Sequence, residues 1–292
     1  MAPYRPGPAV PRRRDRENDR VPQPGLPDVP QQFRTYVALG DSFTEGVGDP
    51  DASAPNGVRG WADRVAAAIA HRDPDLTYAN LAIRGRKMAA VIDQQVEPAL
   101  AMRPDLVSVY AGGNDILRPV VDIDAIVSAY AAALRRLRDQ GAHLVLFTGF
   151  DLGWAPVFGR LRGRVAIYNE LVREAAEELG ATLVDFWRLR AYRDATMWDV
   201  DRTHMSSLGH QHMAVAVLDA LGVPHDLAPP SPEQVVPLSP AERRRQDLAW
   251  ARTHAAPWVH RRLTGRSSGD ALQPRFPTPV VARELVVRSG TI

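Results

Sequence analysis

Four short blocks of the sequence carry the residue types that acyl-transfer chemistry needs. They are Gly40-Asp41-Ser42-Phe43, Asn80-Leu81-Ala82-Ile83-Arg84-Gly85, Gly112-Gly113-Asn114-Asp115 and Asp201-Arg202-Thr203-His204. Acyl transfer uses a nucleophile, a general base, a group that orients the base, and donors for the oxyanion. Ser42, His204 and Asp201 match the first three roles. The backbone N–H groups of Ser42 and Gly85 and the side-chain amide of Asn114 are candidate oxyanion donors.

The blocks lie at the ends of predicted β-strands. Short apolar runs predict strands over Thr35–Leu39, Leu76–Leu81, Leu106–Tyr110, Leu144–Thr148 and Thr182–Phe186. Apolar residues at helical spacing predict helices over Trp61–His71, Ala89–Leu100, Ile126–Gly141, Val165–Leu179 and Ser207–Leu221. Because strands and helices alternate, we predict a three-layer α/β/α, doubly wound fold with a five-stranded parallel, flavodoxin-like sheet. The carboxyl ends of its strands share one rim, which brings the four blocks together.

The composition divides the chain into three regions. Residues 1–32 are rich in proline and arginine and poor in periodic apolar residues, so we predict a disordered leader. Residues 33–222 form the predicted α/β domain. Residues 223–292 begin with a proline-rich linker, continue with a predicted helix over Ala241–Leu263 that Pro257 should kink, and end in thirty or so irregular residues. Its apolar stripe is expected at Leu248, Ala251, Ala255 and Val259. Three large apolar side chains are expected to dock it on the domain: Trp250, Trp258 and Leu263.

Charge and composition narrow the possible functions. The 292 residues contain no cysteine, which excludes disulfides, thiolate catalysis and cysteine-based zinc sites. The net charge is +2, but residues 240–292 carry ten arginines against four acids, whereas residues 33–239 are net acidic. An acidic middle argues against a nucleic-acid-binding core. No apolar run approaches the roughly 20 residues of a membrane span, and the amino terminus lacks a secretory signal, so we expect a cytoplasmic protein without stable membrane association.

The four blocks resemble those of the SGNH hydrolase superfamily, also called the GDSL esterases and lipases. The superfamily is named after four residues that occur here in the same order: Ser42, Gly85, Asn114 and His204. The aspartate of its D-x-x-H block, which supports the histidine, corresponds to Asp201. The resemblance covers about residues 33–222 and departs only where Phe43 replaces the leucine of the G-D-S-L motif, a change expected to affect packing alone.

The resemblance implies a Ser-His-Asp triad of Ser42, His204 and Asp201, with an oxyanion hole made by Ser42, Gly85 and Asn114. It implies neither a metal nor a cofactor, and the substrate would be a small-molecule carboxylic ester. A thioesterase or a carbohydrate deacetylase would use the same residues. A different class of hypothesis, a non-catalytic binding protein, draws on the basic residues 240–292. The natural substrate, the acyl length and the oligomeric state stay open.

Several other residues invite a functional interpretation. Gly265-Arg266-Ser267-Ser268-Gly269 matches the G-x-S-x-G nucleophile motif, but no strand precedes it and no histidine follows His260, so we predict a solvated turn. Asp199 competes with Asp201 as the acid that orients His204, and the shorter spacing favours Asp201. Structural or solvent-facing roles are expected for His210 and His212.

The remaining candidates are two acids and a group of large apolar residues. Asp41 and Asp115 are interpreted as residues that stabilise turns. Five residues after the fourth and fifth strands fit an acyl pocket or the core equally well: Phe150, Trp154, Phe158, Met197 and Trp198.

Overall fold

A central sheet organises the protein. The structure, a computed structural model, describes residues 32–154, 158–228, 239–257, 264 and 267–285. The sheet contains strands β1 Thr35–Gly40, β2 Thr77–Asn80, β3 Leu106–Tyr110, β4 His143–Phe147, β5 Thr182–Val184 and β6 Phe276–Val281. Their order is β5-β4-β3-β1-β2-β6, and only the β2–β6 pair is antiparallel. The predicted α/β architecture and the five predicted strands are confirmed, within one to two residues at each end.

The predicted number of strands was wrong by one, because β6 lies in the stretch expected to be irregular. Its sequence, Phe-Pro-Thr-Pro-Val-Val, contains two prolines that argue against a strand. Pro277 and Pro279 lie between Phe276, which is opposite Asn80, and Val280, which is opposite Tyr78, and the register with β2 shifts there. The other edge of β6 has no neighbour in the sheet, since β6 is its outermost strand. An edge strand tolerates proline and is blunted by it.

Helices cover both faces of this sheet. The α-helices are α1 Ser42–Glu45, α2 Trp61–Ala70, α3 Met88–Val91, α4 Glu97–Met102, α5 Gly113–Ile116, α6 Ile123–Asp139, α7 Arg162–Leu179, α8 Ser207–Leu221 and α9 Pro240–Trp250. A π-helical turn, Ile92–Val96, joins α3 to α4, and a second, Ala251–Ala255, follows α9. Short 3₁₀ helices occupy Pro55–Gly57, Leu152–Trp154, Phe158–Leu161, Phe186–Arg188, Arg190–Arg193 and Ala195–Met197.

Two hydrophobic clusters fill the space between the layers. Successive residues of β1 point to opposite faces: Tyr36 packs with α2 and α8, whereas Val37 packs with the layer of α3, α4, α6 and α7. Both residues are fully buried, as expected for a strand covered on both faces. Trp61 and Leu134 are among the buried helical residues that seal the two sides. This arrangement fixes the carboxyl ends of β1, β2 and β3 side by side.

Helix α9 is attached to the domain through Trp250, its last residue, and Asp247. The Trp250 indole N–H donates to the carbonyl oxygen of Asp201 at 2.9 Å, and the guanidinium of Arg202 lies over the indole ring. Arg202 also pairs with Asp247 at 2.7 Å. The predicted apolar stripe is wrong at Leu248, which is 53% exposed. Trp258, Leu263 and, except for Gln32, the predicted disordered leader 1–32 lie outside the described residues.

No helix among the described residues is both long enough and apolar enough to cross a membrane.

Candidate active site

The nucleophile candidate follows a strand end that is fixed from both sides. Gly40 has a φ of +144°, and a Cβ there would lie 2.4 Å from the carbonyl oxygen of Tyr110, so only glycine fits. The side chain of Gln95 accepts from the Gly40 N–H at 2.8 Å and donates to the Gly40 carbonyl at 2.9 Å. Strand β1 therefore delivers Asp41 and Ser42 to a defined place on the sheet rim.

Asp41 begins the short helix that carries Ser42. Its carboxylate accepts from the backbone N–H of Phe43 at 3.1 Å and caps α1. Burial raises the pKa of Asp41 to about 7, although the hydrogen bonds from Phe43 and Asn114 and the charge of His204 oppose that rise. The expected turn-stabilising role matches this geometry.

Asn114 is brought beside the nucleophile by strand β3 and helix α5. Its amide donates one hydrogen bond to Asp41 Oδ2 at 3.0 Å and another to the carbonyl oxygen of Arg86 at 3.1 Å. Both hydrogens of the amide are therefore engaged in the resting site. The neighbouring Asp115 accepts from the Met88 N–H at 2.9 Å and ties this block to the start of α3.

His204 is held by Asp201. Its ring Nδ1 lies 2.5 Å from Asp201 Oδ2, and its backbone N–H donates to Asp201 Oδ1 at 2.9 Å. Burial pushes the pKa of Asp201 up, but the hydrogen bonds and charge of His204 outweigh it and bring the pKa to about 2. Asp199 meets His204 through its backbone N–H alone, at 2.8 Å. The geometry therefore pairs the imidazole of His204 with Asp201 and not with Asp199.

The residues that follow His204 are bound to the loop that follows Ser42. Asp49 accepts from the Ser207 hydroxyl and pairs with Arg64. A Cβ on Gly48 would lie 2.1 Å from the carbonyl oxygen of Met205, so these backbones touch. Together these contacts hold the residues that follow His204 against the loop that follows Ser42.

The two other histidines that the sequence singled out lie away from this pair. His210 is fully buried, and its ring contacts the Trp61 N–H and the Val47 carbonyl oxygen. Burial lowers the pKa of His210 to about 4, which keeps the ring neutral. His212 packs edge-on against Tyr192.

Gly85 lies in a loop bound to the nucleophile helix. Glu45, the last residue of α1, accepts from the Arg84 backbone N–H at 2.6 Å and pairs with the Arg84 guanidinium at 2.7 Å. The carboxylate of Glu45 is inaccessible to solvent. Within the described part of the chain, the N–H groups of Ser42 and Gly85 make no hydrogen bond. Both donors are therefore available to a bound oxygen.

These residues share a single cavity of about 370 Å³. Its wall contains the predicted nucleophile, oxyanion residues and base: Ser42, Gly85, Asn114 and His204. Phe150, Phe158 and Trp198 also line it, and Trp198 is at the same time part of the buried core, as is Met197. The side chain of Trp154 lies outside the described residues.

The turn predicted at 265–269 is present in the described residues, with Ser268 exposed, but it is not simply solvated, because Gly269 is buried and Ser267 is half-buried. Ser267 Oγ donates to the Arg84 carbonyl at 3.2 Å, and a Cβ on Gly269 would lie 2.2 Å from that same oxygen. Ser267, Ser268 and Asp270 line the cavity. The segment follows no predicted strand, but it precedes β6, and an antiparallel edge strand begins at the rim where parallel strands end. Sequence reasoning considered only the preceding residues.

Two supporting residues of the site also escaped the sequence analysis. Glu45 could have been noticed, because a carboxylate three residues after Ser42 lies about one helical turn beyond it in a helix that starts at Ser42. Gln95 gives no local signal, since its role depends on the π-helical turn that carries it across to β1.

The fold and the site define a hydrolase of the GDSL class. The model of the GDSL-like lipase/acylhydrolase family matches residues 38–212. The chain belongs to this family and is a carboxylic ester hydrolase. None of the curated proteins matches the sequence significantly.

Solved structures share the fold. An α/β hydrolase called LAE5, from the metagenome of Lake Arreo in Spain, is 23% identical with a TM-score of 0.54, covering 68% of this chain and 99% of its own. Axe2, an acetylxylan esterase from Geobacillus stearothermophilus, is 23% identical with a TM-score of 0.53, covering 65% of this chain and 95% of its own. The acetyl xylan esterase AlAXEase is 18% identical with a TM-score of 0.52, covering 64% and 98%.

Proposed function

We propose that the protein is a serine esterase in which Ser42 is the nucleophile, His204 the general base and Asp201 the residue that orients His204. The observation that carries the proposal is the 2.5 Å contact between His204 and Asp201 in a loop whose histidine shares the cavity of Ser42. The lowered pKa of Asp201 keeps it ionised at neutral pH. An ionised partner on Nδ1 leaves Nε2 to accept a proton.

The reaction follows from these positions. His204 Nε2 removes the hydroxyl proton of Ser42 as the serine oxygen attacks the ester carbonyl carbon. The carbonyl oxygen becomes an oxyanion that accepts from the free N–H groups of Ser42 and Gly85. His204 then gives its proton to the departing alcohol oxygen, and water releases the acyl group by the same steps, which restores Ser42.

Asn114 would be the third oxyanion donor. In the resting site its two amide hydrogens bind Asp41 and the carbonyl oxygen of Arg86. The oxyanion therefore competes with Asp41 for one of them. The negative charge on the oxygen is greatest in the transition state, so this exchange favours the transition state over the bound ester.

Variants of a structural relative support these assignments. Axe2 has three catalytic mutants, in which a serine, an aspartate or the histidine three positions after that aspartate is replaced by alanine. Asp201 and His204 have the same spacing. The substrate named for Axe2 and AlAXEase makes acetylated carbohydrate the second candidate substrate, after simple small or medium acyl esters.

The test is hydrolysis of p-nitrophenyl esters with acyl chains of two to twelve carbons, together with acetate release from acetylated xylo-oligosaccharides. Ser42→Ala should lower kcat by at least about 10³-fold on every substrate that the wild type turns over. Ser128→Ala, an exposed serine on α6, is the matched control and should behave as the wild type. Full activity of a folded Ser42→Ala protein would falsify the proposal, and the chain-length profile reports the size of the acyl pocket.

The competing binding-protein hypothesis loses part of its basis in the structure. Arg275, one of the basic residues of 240–292, is buried and paired with Asp63, so it is not free to meet an anionic partner. We propose a cytoplasmic enzyme that acts on a small-molecule ester, or on a thioester with the same residues. No nucleic-acid partner is proposed.

A further inference from the structure

The chain beyond the family match reaches the active-site cavity. The family model ends at residue 212, and the cavity wall includes residues 267, 268 and 270. Strand β6 begins at Phe276, which is in register with Asn80 at the carboxyl end of β2. Because β6 is antiparallel, the residues just before it emerge at the rim where the parallel strands end. The topology thus lays the segment 267–275 across the site.

This segment is anchored by a buried ion pair. Arg275 Nη1 contacts Asp63 Oδ2 at 2.6 Å, and the two side chains are 1% and 2% exposed. The same nitrogen donates to the Glu45 carbonyl oxygen at 3.1 Å, and Arg275 Nε donates to that of Pro55 at 3.1 Å. Arg275 therefore binds Glu45, the last residue of α1, directly.

The other end of the segment holds the loop that carries Gly85. Ser267 Oγ donates to the Arg84 carbonyl, the peptide unit that also contains the Gly85 N–H. Ser267 is itself fixed, because its N–H donates to Asp270 Oδ2 at 2.8 Å and its Oγ accepts from the Gly269 N–H at 3.1 Å. A Cβ on Gly85 would lie 2.0 Å from Ser267 Oγ, so the two residues touch.

The two peptide units that meet at Arg84 are consequently each held by a side chain. Glu45 holds the Arg84 N–H and guanidinium, and Ser267 holds its carbonyl. A hydrogen bond to the carbonyl oxygen fixes the plane of the peptide, and with it the direction of the Gly85 N–H. Oxyanion donors act by being held in place before the charge develops.

We propose that Ser267 is a positioning residue of the esterase reaction: it aims the Gly85 N–H at the oxyanion. The C-terminal segment 267–285 is then a working part of the active site. The inference rests on the proposed function, since it takes Gly85 as an oxyanion donor. It adds a residue from outside the region that the family model matches.

The experiment compares the full-length protein with Ser267→Ala, with Thr278→Ala as the matched control. Thr278 is exposed on β6 and lies in the same segment. Ser267→Ala should lower kcat for p-nitrophenyl acetate roughly tenfold or more, with KM within about twofold and an unchanged melting temperature. A purely structural role would lower the melting temperature instead. Thr278→Ala should leave all three quantities unchanged.

Hydrogen exchange provides a readout that does not depend on catalysis. The peptide covering residues 84–87 should exchange several-fold faster in Ser267→Ala than in the wild type or Thr278→Ala. Unchanged exchange together with an unchanged kcat overturns the inference while leaving the serine esterase intact. Activity retained by Ser42→Ala overturns the proposed function instead, and faster exchange in Ser267→Ala would then still show that Ser267 anchors this loop.

Discussion

At the scale of single residues, the site shifts the pKa values of two aspartates in opposite directions. Asp41 lines the cavity, and Asp201 holds the histidine that lines it. Burial raises the pKa of Asp41 to about 7, whereas the hydrogen bonds and charge of His204 outweigh burial and bring the pKa of Asp201 to about 2. Asp201 therefore stays charged at neutral pH. Asp41 changes its charge in the neutral range.

Asp201 and Asp199 give a matched pair of substitutions. Asp201→Asn should reduce kcat by roughly 10²–10⁴-fold, because an amide stabilises neither the tautomer nor the positive charge that His204 needs. Asp199→Asn should stay close to wild type, since Asp199 meets His204 only through its backbone. Steady-state kinetics on p-nitrophenyl acetate decides between them. The assignment fails if Asp199→Asn has the larger effect.

Asp201 also makes the stability of the folded protein depend on pH in the acidic range. The unfolded chain takes up this proton near pH 3.8 and the folded protein only near pH 2. Its contribution to stability is therefore complete above about pH 4, and it is lost as the pH falls towards 2.

Asp41 predicts the opposite pH dependence of stability. The folded protein keeps this proton up to about pH 7, whereas the unfolded chain releases it near 3.8. Between these values the folded state binds more protons, so the free energy of unfolding should fall as the pH rises, by on the order of a few kcal/mol. Asp41→Asn cannot titrate and serves as the reference. Urea unfolding of both proteins from pH 4 to 7.5 measures the difference, and parallel curves would contradict the prediction.

At the scale of elements, strand β6 depends on one buried residue. Arg275→Gln leaves the charge of Asp63 buried without its partner, which should lower the free energy of unfolding by about 3–5 kcal/mol. Arg283→Gln, at an exposed position just after the strand, should change it by less than about 0.5 kcal/mol. Chemical denaturation of both variants makes the comparison. Equal, small effects would mean that the ion pair does not stabilise the strand.

The elements also show how far the sequence predicts this protein. The parallel strands were predictable because each is a short apolar run, as in β3, and their helices because apolar residues recur at helical spacing, as in α6. Strand β6 was not, because Pro277 and Pro279 are unfavourable in most strands and are tolerated at an outer edge or where the register is irregular. Edge position is a property of the whole sheet and leaves no local trace.

At the scale of the whole molecule, the four sequence blocks meet as topology required. Ser42, Gly85, Asn114 and His204 come from distant parts of the chain and line one cavity. The sequence could predict this because parallel strands end on one rim. The sequence could not predict the role of Ser267, since its contact with Arg84 depends on strand β6, which pairs antiparallel with β2.

The position of β6 has a consequence during synthesis of the protein. Translation completes all four blocks well before Arg275 leaves the ribosome. Until then, the outer edge of β2 is unpaired, Asp63 lacks its counterion and the loop of Gly85 is held from one side only. We therefore expect the nascent chain to contain every reacting group and yet remain a poor esterase, so that newly made enzyme gains activity only when β6 has left the ribosome and paired with β2.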